Sequence, residues 1–378
     1  MTRGLYAVVL GLAAGAGAVA ADAADQRPAR LLCVTVTTGF RHASIPAAEA
    51  ALEEIGRESN LFHLEHVRQP PDRPPQPKPP KRGERTTDEE WQRQQADFRA
   101  AQEAFGQADA PWQEELRDRI ARAFAPETLA AFDGVIFAST TGDLPIPDLE
   151  AFLAWIRSGR AFVGFHAATD TLRKSDAYVA MVGGAFAGHP WLAEGEHAFV
   201  VNEPGHRLVA MFPERFRHRD EIYQYDGRSV PENVRVLVSL DMAGSRPQEP
   251  WHVPVSWVRD YGKGRVFSTN FGHNEATWRE PMFRKHAAEG IAWAVGRCDA
   301  PAEPNPDVQA AEYMRSVIAA AAAATGADHD ALRAKADAKI AADPAWALGL
   351  RPKLLELRGR KPADRTAVYA EVMEEIRR

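Results

Sequence analysis

A histidine stands at the end of an apolar stretch, at a position where some enzymes place their nucleophile. The segment Val163–Thr171 passes from a strand-like run into Gly164-Phe165-His166-Ala167-Ala168. Small residues on both sides of His166 are typical of a sharp strand-to-helix turn that presents one side chain above a sheet. A histidine there can act as a general acid or base or as a metal ligand, but it is a poor substitute for a thiolate nucleophile. A histidine that only hydrogen-bonds at a strand end is the alternative.

A second segment supplies a histidine and a carboxylate close together. The apolar run Val266–Asn270 continues into Phe271-Gly272-His273-Asn274-Glu275. A histidine just past a strand, with a carboxylate two residues later, is suited to act as a base with its orienting partner. We therefore predict catalytic roles for His166, His273 and Glu275.

Other polar side chains follow predicted strands and turns. His42 comes after the first strand, at the edge where open α/β sheets bind ligands, although it could instead cap the next helix. His189 follows a glycine-rich turn, and Trp191 beside it suits either sugar stacking or the core. Glu221 and the nearby Tyr223 offer a carboxylate and a phenol, with a solvated surface position as the alternative for Glu221. We predict substrate-binding roles for His42, Asp170, His189 and Tyr223.

Metal binding is a second use of the same side chains. Zinc and other divalent ions take imidazole and carboxylate ligands. The candidates are His42, His166, His189 and His273, with Asp170 or Glu221. No two of these histidines have the short spacing of a local metal motif, so the ligands would have to converge from separate loops. We therefore assign no metal ligands from the sequence and keep a divalent ion such as zinc as the lesser alternative.

As an ordered set, these motifs resemble the ThuA-like (trehalose-utilisation) family. The matching stretches lie within residues 30–297 and are Thr38–Ile45, Gly164–His166, Asp170-Thr171, Gly183–Pro190, Asp220–Tyr223, Trp257–Phe267 and Phe271–His273. In the related class I glutamine amidotransferases a cysteine occupies the elbow, whereas here His166 stands there, and His273 with Glu275 resembles their His-x-Glu pair. The resemblance implies a class I glutamine amidotransferase-like, flavodoxin-type fold, a link to trehalose or a related sugar, and no glutaminase activity. It also implies a substrate-binding role for Glu221.

The elements that must position these residues follow an α/β pattern. Buried strand-like runs alternate with amphipathic helices, which predicts a mostly parallel sheet flanked by helices. The predicted strands are 31–37, 61–67, 132–138 and 161–165, followed by antiparallel or edge-like strands at 198–201, 234–239, 253–258 and 264–270. The predicted helices include 46–55, 147–158, 282–295 and 308–325.

Composition divides the chain into a core and additions. Residues 30–300 predict a ThuA-like domain, interrupted at 69–125 by a proline-rich and helical insertion. Thr87-Asp88-Glu89-Glu90 predicts a capping box where the helix of the insertion begins. Residues 301–378 predict a helical C-terminal extension that serves packing or association.

The first residues carry an export pattern. Arg3, the apolar run Leu5–Ala20 and the A-x-A motif at Ala18–Ala20 predict a signal peptide over residues 1–23. We therefore expect a secreted or periplasmic protein without an integral membrane span, and a retained anchor is the alternative. The formal net charge of −6, without a basic stripe, argues against nucleic acid as a partner.

The two cysteines favour free thiols over a disulfide. Cys33 and Cys298 could pair in an exported protein, but Cys33 lies in an apolar run, which favours a buried free thiol.

Together with the link to sugars that the family resemblance implies, these observations predict an enzyme that acts on a sugar or keto-sugar derivative. His166 and His273 would exchange protons with the substrate, and Glu275 would orient His273. Hydrolysis, elimination and isomerisation all fit, so a hydrolase, a lyase and an isomerase remain open. The alternative is a non-catalytic carbohydrate-binding or assembly module on the same fold. An amidase or peptidase lacks an evident nucleophile, and an oligomer is left open.

Overall fold

The computed structural model describes residues 27–227 and 233–378. The predicted signal peptide, residues 1–23, lies outside the described residues. Among the helices in these two ranges, none combines the length and the apolar character that crossing a membrane requires.

The described strands form one nine-stranded sheet with the order β2-β1-β3-β4-β9-β8-β7-β5-β6. They are β1 (Ala29–Val34), β2 (Phe62–Val67), β3 (Gly134–Ala138), β4 (Ala161–Phe165), β5 (Glu196–Val201), β6 (Arg215–Arg219), β7 (Arg235–Leu240), β8 (Pro254–Tyr261) and β9 (Gly264–Thr269). The α-helices are α1 (Ile45–Ser59), α2 (Asp88–Ala123), α3 (Pro126–Leu129), α4 (Leu149–Arg157), α5 (Asp176–Val182), α6 (Pro281–Ala294), α7 (Pro306–Thr325), α8 (His329–Ala342), α9 (Ala345–Gly359) and α10 (Thr366–Arg377).

One half of the sheet is parallel, as the predicted fold class requires. Strands β2, β1, β3, β4 and β9 pair in parallel. Every residue of β3 and β4 is buried, because helices α1 and α6 cover one face while α2, α4 and α5 cover the other. This double cover explains why these strands read as continuous apolar runs. The α/β fold with flanking helices and a helical C-terminal tail is confirmed.

The remaining strands extend the sheet in antiparallel fashion. Strands β9, β8, β7, β5 and β6 pair antiparallel to one another in that order. The sequence predicted all of them except β6, whose residues Arg215, Arg217 and Arg219 alternate with Phe216 and His218. Cationic side chains on an edge strand oppose pairing with another chain. The arginines that made this strand unrecognisable in the sequence therefore also protect its edge from such pairing.

The predicted insertion contains one long helix. Helix α2 begins with the predicted capping box, because the Thr87 hydroxyl accepts from the Glu90 amide and the Glu90 carboxylate accepts from the Thr87 amide. Its C-terminal half packs on the sheet through Trp112, Leu116 and Ile120. The Trp112 indole donates to the Pro70 carbonyl at 2.9 Å, which fixes the start of the proline-rich stretch against the helix.

The C-terminal extension is packed into the domain. The side chain of Asn305 exchanges two hydrogen bonds with the main chain of Val236 in β7, at 2.9 and 3.0 Å. Gln309 donates to the Val234 carbonyl at 2.9 Å. Met314 and Val317 of α7 are fully buried in the same apolar cluster as Val238 and Leu240. The extension therefore supplies a layer over the antiparallel half of the sheet.

Both cysteines are free. Cys33 in β1 and Cys298 after α6 are buried and unpaired, as the apolar surroundings of Cys33 favoured.

Acid should destabilise this fold through its buried histidines. Burial lowers the pKa of His286 to about 4, against the opposing effect of the Leu208 carbonyl, from an ordinary value of 6.5. As the pH falls below 6.5 the unfolded chain takes up protons first, so the contribution of His286 is complete above that pH and is lost towards pH 4. Between pH 7 and pH 5 the wild type should lose on the order of 2 kcal/mol more unfolding free energy than His286→Asn.

Denaturant unfolding at the two pH values measures this difference. The same substitution at the exposed His63 is the control and should follow the wild type. Equal losses in His286→Asn and the wild type would contradict the prediction.

Candidate active site

The sharp turn predicted at His166 is present. His166 has φ +48°, a left-handed conformation that is uncommon for residues other than glycine and is often found at functional sites. It begins a 3-10 helix over His166–Asp170, directly after β4. A side chain at Gly164 would place its Cβ 2.9 Å from the Cβ of Ala168, so the small residues around the turn are needed for its close packing.

The ring of His166 is fixed in one orientation. Its Nδ1 lies 2.9 Å from the carbonyl oxygen of Asn270, an atom that can only accept, so Nδ1 carries the donated proton. The side chain is fully buried. Burial, followed by the neighbouring His42 and His273, holds the pKa of His166 well below its usual value. The neutral ring therefore presents an unprotonated Nε2 to its surroundings.

Three other groups converge on that nitrogen. His42 Nε2 is 3.2 Å away and His273 Nδ1 is 3.1 Å away. Glu221 Oε2 lies 3.7 Å from His166 Nε2 and 3.1 Å from His273 Nδ1. The four atoms all lie within 4.8 Å of one another. We call His42, His166, Glu221 and His273 the histidine cluster.

The topology of the sheet brings the cluster together. His42 follows β1, His166 follows β4 and His273 follows β9, and these strands belong to one parallel array. Their carboxyl ends meet at one edge, where open α/β sheets bind ligands. Glu221 follows the edge strand β6, which the four antiparallel pairings after β9 leave running in the same direction as the parallel strands.

A buried carboxylate fixes two of these loops to each other. Asp220 accepts from the amides of Gly272 at 2.7 Å and Asn274 at 2.8 Å, on both sides of His273. It also accepts from the amide of Glu221 at 3.1 Å. Burial raises the pKa of Asp220 to about 6, although the two loop amides lower it. Asp220 thus positions His273 and Glu221 together, a role that its sequence motif did not reveal.

The pKa values of the imidazoles in the cluster are shifted in opposite directions. Burial, and then the proximity of His273, lowers the pKa of His42 to about 4. Burial also acts to lower the pKa of His273, but the hydrogen bond and charge of Glu221 outweigh it and raise that pKa. The cluster therefore combines neutral rings with one imidazole whose protonated form is stabilised by a carboxylate.

Other predicted binding residues surround the cluster. His189 Nδ1 lies 3.1 Å from Glu221 Oε1, and its side chain is 49% exposed. The Tyr223 hydroxyl is 3.5 Å from His42 Nε2. Asp170 is paired with Arg173 at 2.8 Å, and burial raises its pKa against the effect of that arginine. His189 thus lies next to the cluster, on the side that faces solvent.

The predicted role of Glu275 differs from its observed position, and the structure decides between the two alternatives given for Trp191. The Glu275 side chain is 53% exposed and lies 3.6 Å from Arg279, and Glu221 supplies the carboxylate that contacts His273. The His-x-Glu spacing therefore does not orient this histidine, because the chain turns away after Asn274 into a short 3-10 helix. Trp191 is fully buried, with its indole donating to the Pro247 carbonyl at 3.0 Å, and so belongs to the core.

Phe40 is a further candidate that sequence reasoning missed. Its ring is 67% exposed and meets the edge of His42 at a centroid distance of 4.9 Å. On the other side, Phe186 packs against Tyr223 at 4.4 Å and stacks on His189 at 6.0 Å. Aromatic rings thus contact the cluster or its polar neighbours from two loops.

Comparison with known proteins identifies the family. A family model for ThuA, described as trehalose utilisation, matches residues 85–294, which is more than half of the chain. The chain belongs to the ThuA family. The match includes His166, Glu221 and His273, whereas His42 precedes it. The ThuA-like resemblance of the motifs is confirmed.

Crystal structures of ThuA-like proteins are among the similar folds. One, from Parabacteroides merdae ATCC 43184, has 17% identity and a TM-score of 0.47, covering 71% of this chain and 90% of that chain. Another, from Bacteroides uniformis ATCC 8492, has 17% identity and a TM-score of 0.48, covering 74% of this chain and 95% of that chain. No curated protein matches this ThuA-family chain.

Replacing the anchoring carboxylate should loosen the site. In Asp220→Asn one oxygen acceptor becomes an amide donor facing buried main-chain N–H groups. We expect the free energy of unfolding to fall by about 1–3 kcal/mol, the cost of an unsatisfied buried donor. Denaturant unfolding tests this, with Asp260→Asn on the exposed face of β8 as the matched control. A stability equal to that of the control would show that Asp220 does not anchor the loops.

Proposed function

We propose that this ThuA-family chain is an enzyme that acts on a sugar or sugar derivative, and that its reaction takes place at the histidine cluster. The supporting observation is the convergence of three imidazole nitrogens and one carboxylate oxygen at the carboxyl edge of the parallel strands. Burying such groups costs folding free energy. Clusters of perturbed titratable groups are found preferentially at functional sites.

The cluster is buried at one end and open at the other. Side-chain exposure rises from 0% at His166 through 10% at Glu221 and 23% at His273 to 49% at His189. A substrate can therefore approach from the side of His189 and His273 and reach polar groups that are otherwise shielded from water.

A sugar derivative suits the surroundings of the cluster. The family description names trehalose utilisation. The exposed ring of Phe40 and the partly buried ring of Phe186 offer apolar faces, while His189, Tyr223 and Asp170 offer polar atoms. Ligand sites commonly combine aromatic walls with a few placed polar groups, and the C–H face and hydroxyl groups of a sugar match that combination.

The proposed chemistry is proton transfer at a sugar hydroxyl or carbonyl group. Hydrolysis, elimination and isomerisation all require a proton carrier and a group that stabilises the developing negative charge. We assign proton transfer to His189, because its ring is half exposed and Glu221 contacts its Nδ1.

This assignment changes the roles predicted from the sequence. His166 has no exposed side-chain surface, its Nδ1 is engaged with the Asn270 carbonyl, and its Nε2 faces the other rings of the cluster. Such a ring is suited to hold its neighbours in place and is poorly placed to carry a proton to and from a substrate.

We also propose that the protein is exported. The proposal rests on Arg3, the apolar run Leu5–Ala20 and the A-x-A motif at Ala18–Ala20.

Turnover measurements test the proposed function. Purified protein is incubated with trehalose, related disaccharides and their keto derivatives, and products are followed by mass spectrometry. We expect His189→Asn to lower kcat/KM by roughly 10²- to 10⁴-fold, the usual contribution of a general acid or base. Glu221→Gln should lower it as well, because it removes the charge that contacts both His189 and His273. The exposed His63→Asn is the matched control.

Two outcomes decide against this function. Unchanged turnover in both His166→Asn and His273→Asn would exclude the histidine cluster as the catalytic centre. Saturable binding of sugars with no product from the wild type would favour the non-catalytic carbohydrate-binding module, for which Phe40 at the edge of the cluster would be the stacking surface.

A further inference from the structure

We propose that the histidine cluster binds one divalent transition-metal ion through His42 Nε2, His166 Nε2, His273 Nδ1 and Glu221 Oε2. The binding itself follows from the geometry of these atoms. Only the role of the ion in catalysis rests on the proposed function.

The separations between the four atoms fit a common ion. Zinc binds imidazole nitrogen and carboxylate oxygen at about 2.0–2.2 Å, so neighbouring ligands stand about 2.9 Å apart at right angles and about 3.4 Å apart in a tetrahedron. The adjacent pairs in the cluster are separated by 3.1, 3.1, 3.2 and 3.7 Å. All pairs lie within 4.8 Å, so a small adjustment of the side chains places one ion within reach of every ligand.

Hydrogen bonding alone does not satisfy this arrangement. His166 donates through Nδ1 to Asn270, so its Nε2 has a single lone pair and no proton. Two ring nitrogens approach that one lone pair at 3.1 and 3.2 Å, and a carboxylate oxygen that cannot donate lies 3.7 Å away. An ion accepts the lone pairs of all four groups at once and removes the competition.

The groups behind the cluster hold the ligands in the required orientation. A histidine ligand normally donates its other ring nitrogen to a carbonyl or carboxylate, as His166 does to the Asn270 carbonyl. The free oxygen of Glu221 contacts His189, and Asp220 fixes the main chain beside both Glu221 and His273. The site is therefore rigid on the protein side and open towards His189.

The donor set indicates the class of ion. Imidazole ligands suit zinc, copper, iron and nickel, whereas magnesium and calcium take oxygen ligands. Three nitrogens with one oxygen favour an ion of the zinc type over the alkaline-earth ions. Bound there, it would act as a Lewis acid by taking a sugar hydroxyl or carbonyl oxygen as an additional ligand on the open side, next to the half-exposed imidazole of His189.

Metal titration of the full chain tests the proposal directly. Protein stripped with a chelator is titrated with Zn²⁺ by calorimetry and with Co²⁺ by visible absorption, with Mg²⁺ as the comparison ion. We expect one Zn²⁺ or Co²⁺ per chain, a cobalt spectrum typical of nitrogen and oxygen ligands, and no comparable binding of Mg²⁺. Bound Zn²⁺ should also raise the thermal midpoint of unfolding, because only the folded chain assembles the site.

Substitutions locate the ion. Loss of an outer partner of a metal ligand costs roughly 10- to 100-fold in affinity, which is the fall expected for Asp220→Asn. His273→Asn and Glu221→Gln remove ligands and should weaken binding at least as much. Both side chains are partly accessible, and circular dichroism with thermal unfolding establishes that each variant is folded. His63→Asn, on the exposed face of β2, should bind like the wild type.

The outcomes separate the metal site from the proposed function. Failure of the wild type to bind Zn²⁺ or Co²⁺, or equal affinity in folded His273→Asn and Glu221→Gln, overturns the metal site. Full turnover of a sugar derivative by stripped protein overturns the catalytic role of the ion while the enzyme assignment stands. One tightly bound ion with no turnover of any sugar derivative leaves the metal site standing and overturns the enzyme assignment.

Discussion

The geometry of the site depends on one buried carboxylate. Asp220 has no exposed surface, and its two oxygens accept main-chain N–H groups from the loop after β9 and from Glu221. The parallel strands bring His42, His166 and His273 to the same edge, but the carboxylate that contacts these imidazoles does not follow any of those strands. Because Asp220 joins the antiparallel extension to the loop of His273, it places Glu221 next to the imidazoles. A charged group is retained inside the protein for this purpose, despite the cost of its burial.

Much of the fold could be predicted because local signals agreed with the final structure. The apolar run at 161–165 coincides with β4, and the pattern around Thr87 gave the capping box that begins α2. Strand β6 was missed because it consists mainly of charged residues and lacks the alternation of apolar and polar residues that indicates a half-buried strand. Helix α5 was missed as well, being a short element of seven residues. In both cases the element is defined by what it packs against, and that information is not local in the sequence.

The sequence predicted the candidate site only where the backbone geometry requires particular residue types in a motif. The small residues around His166 indicated the turn because the close approach of Gly164 to Ala168 demands them. The spacing of His273 and Glu275 suggested a pair, but spacing does not fix the direction of a loop, and the carboxylate came from Glu221, 52 positions earlier in the chain. Phe40 gave no signal, since an exposed aromatic residue cannot be recognised before its neighbours are known.

The contact between the C-terminal extension and β7 affects when the molecule can become stable during synthesis. Asn305 and Gln309 complete the main-chain hydrogen bonding of Val234 and Val236, and α7 seals the apolar face of that strand. Residues 305–325 must therefore leave the ribosome before the antiparallel half of the sheet is covered. Until then this half exposes an apolar surface, which is the condition under which chaperones bind nascent chains.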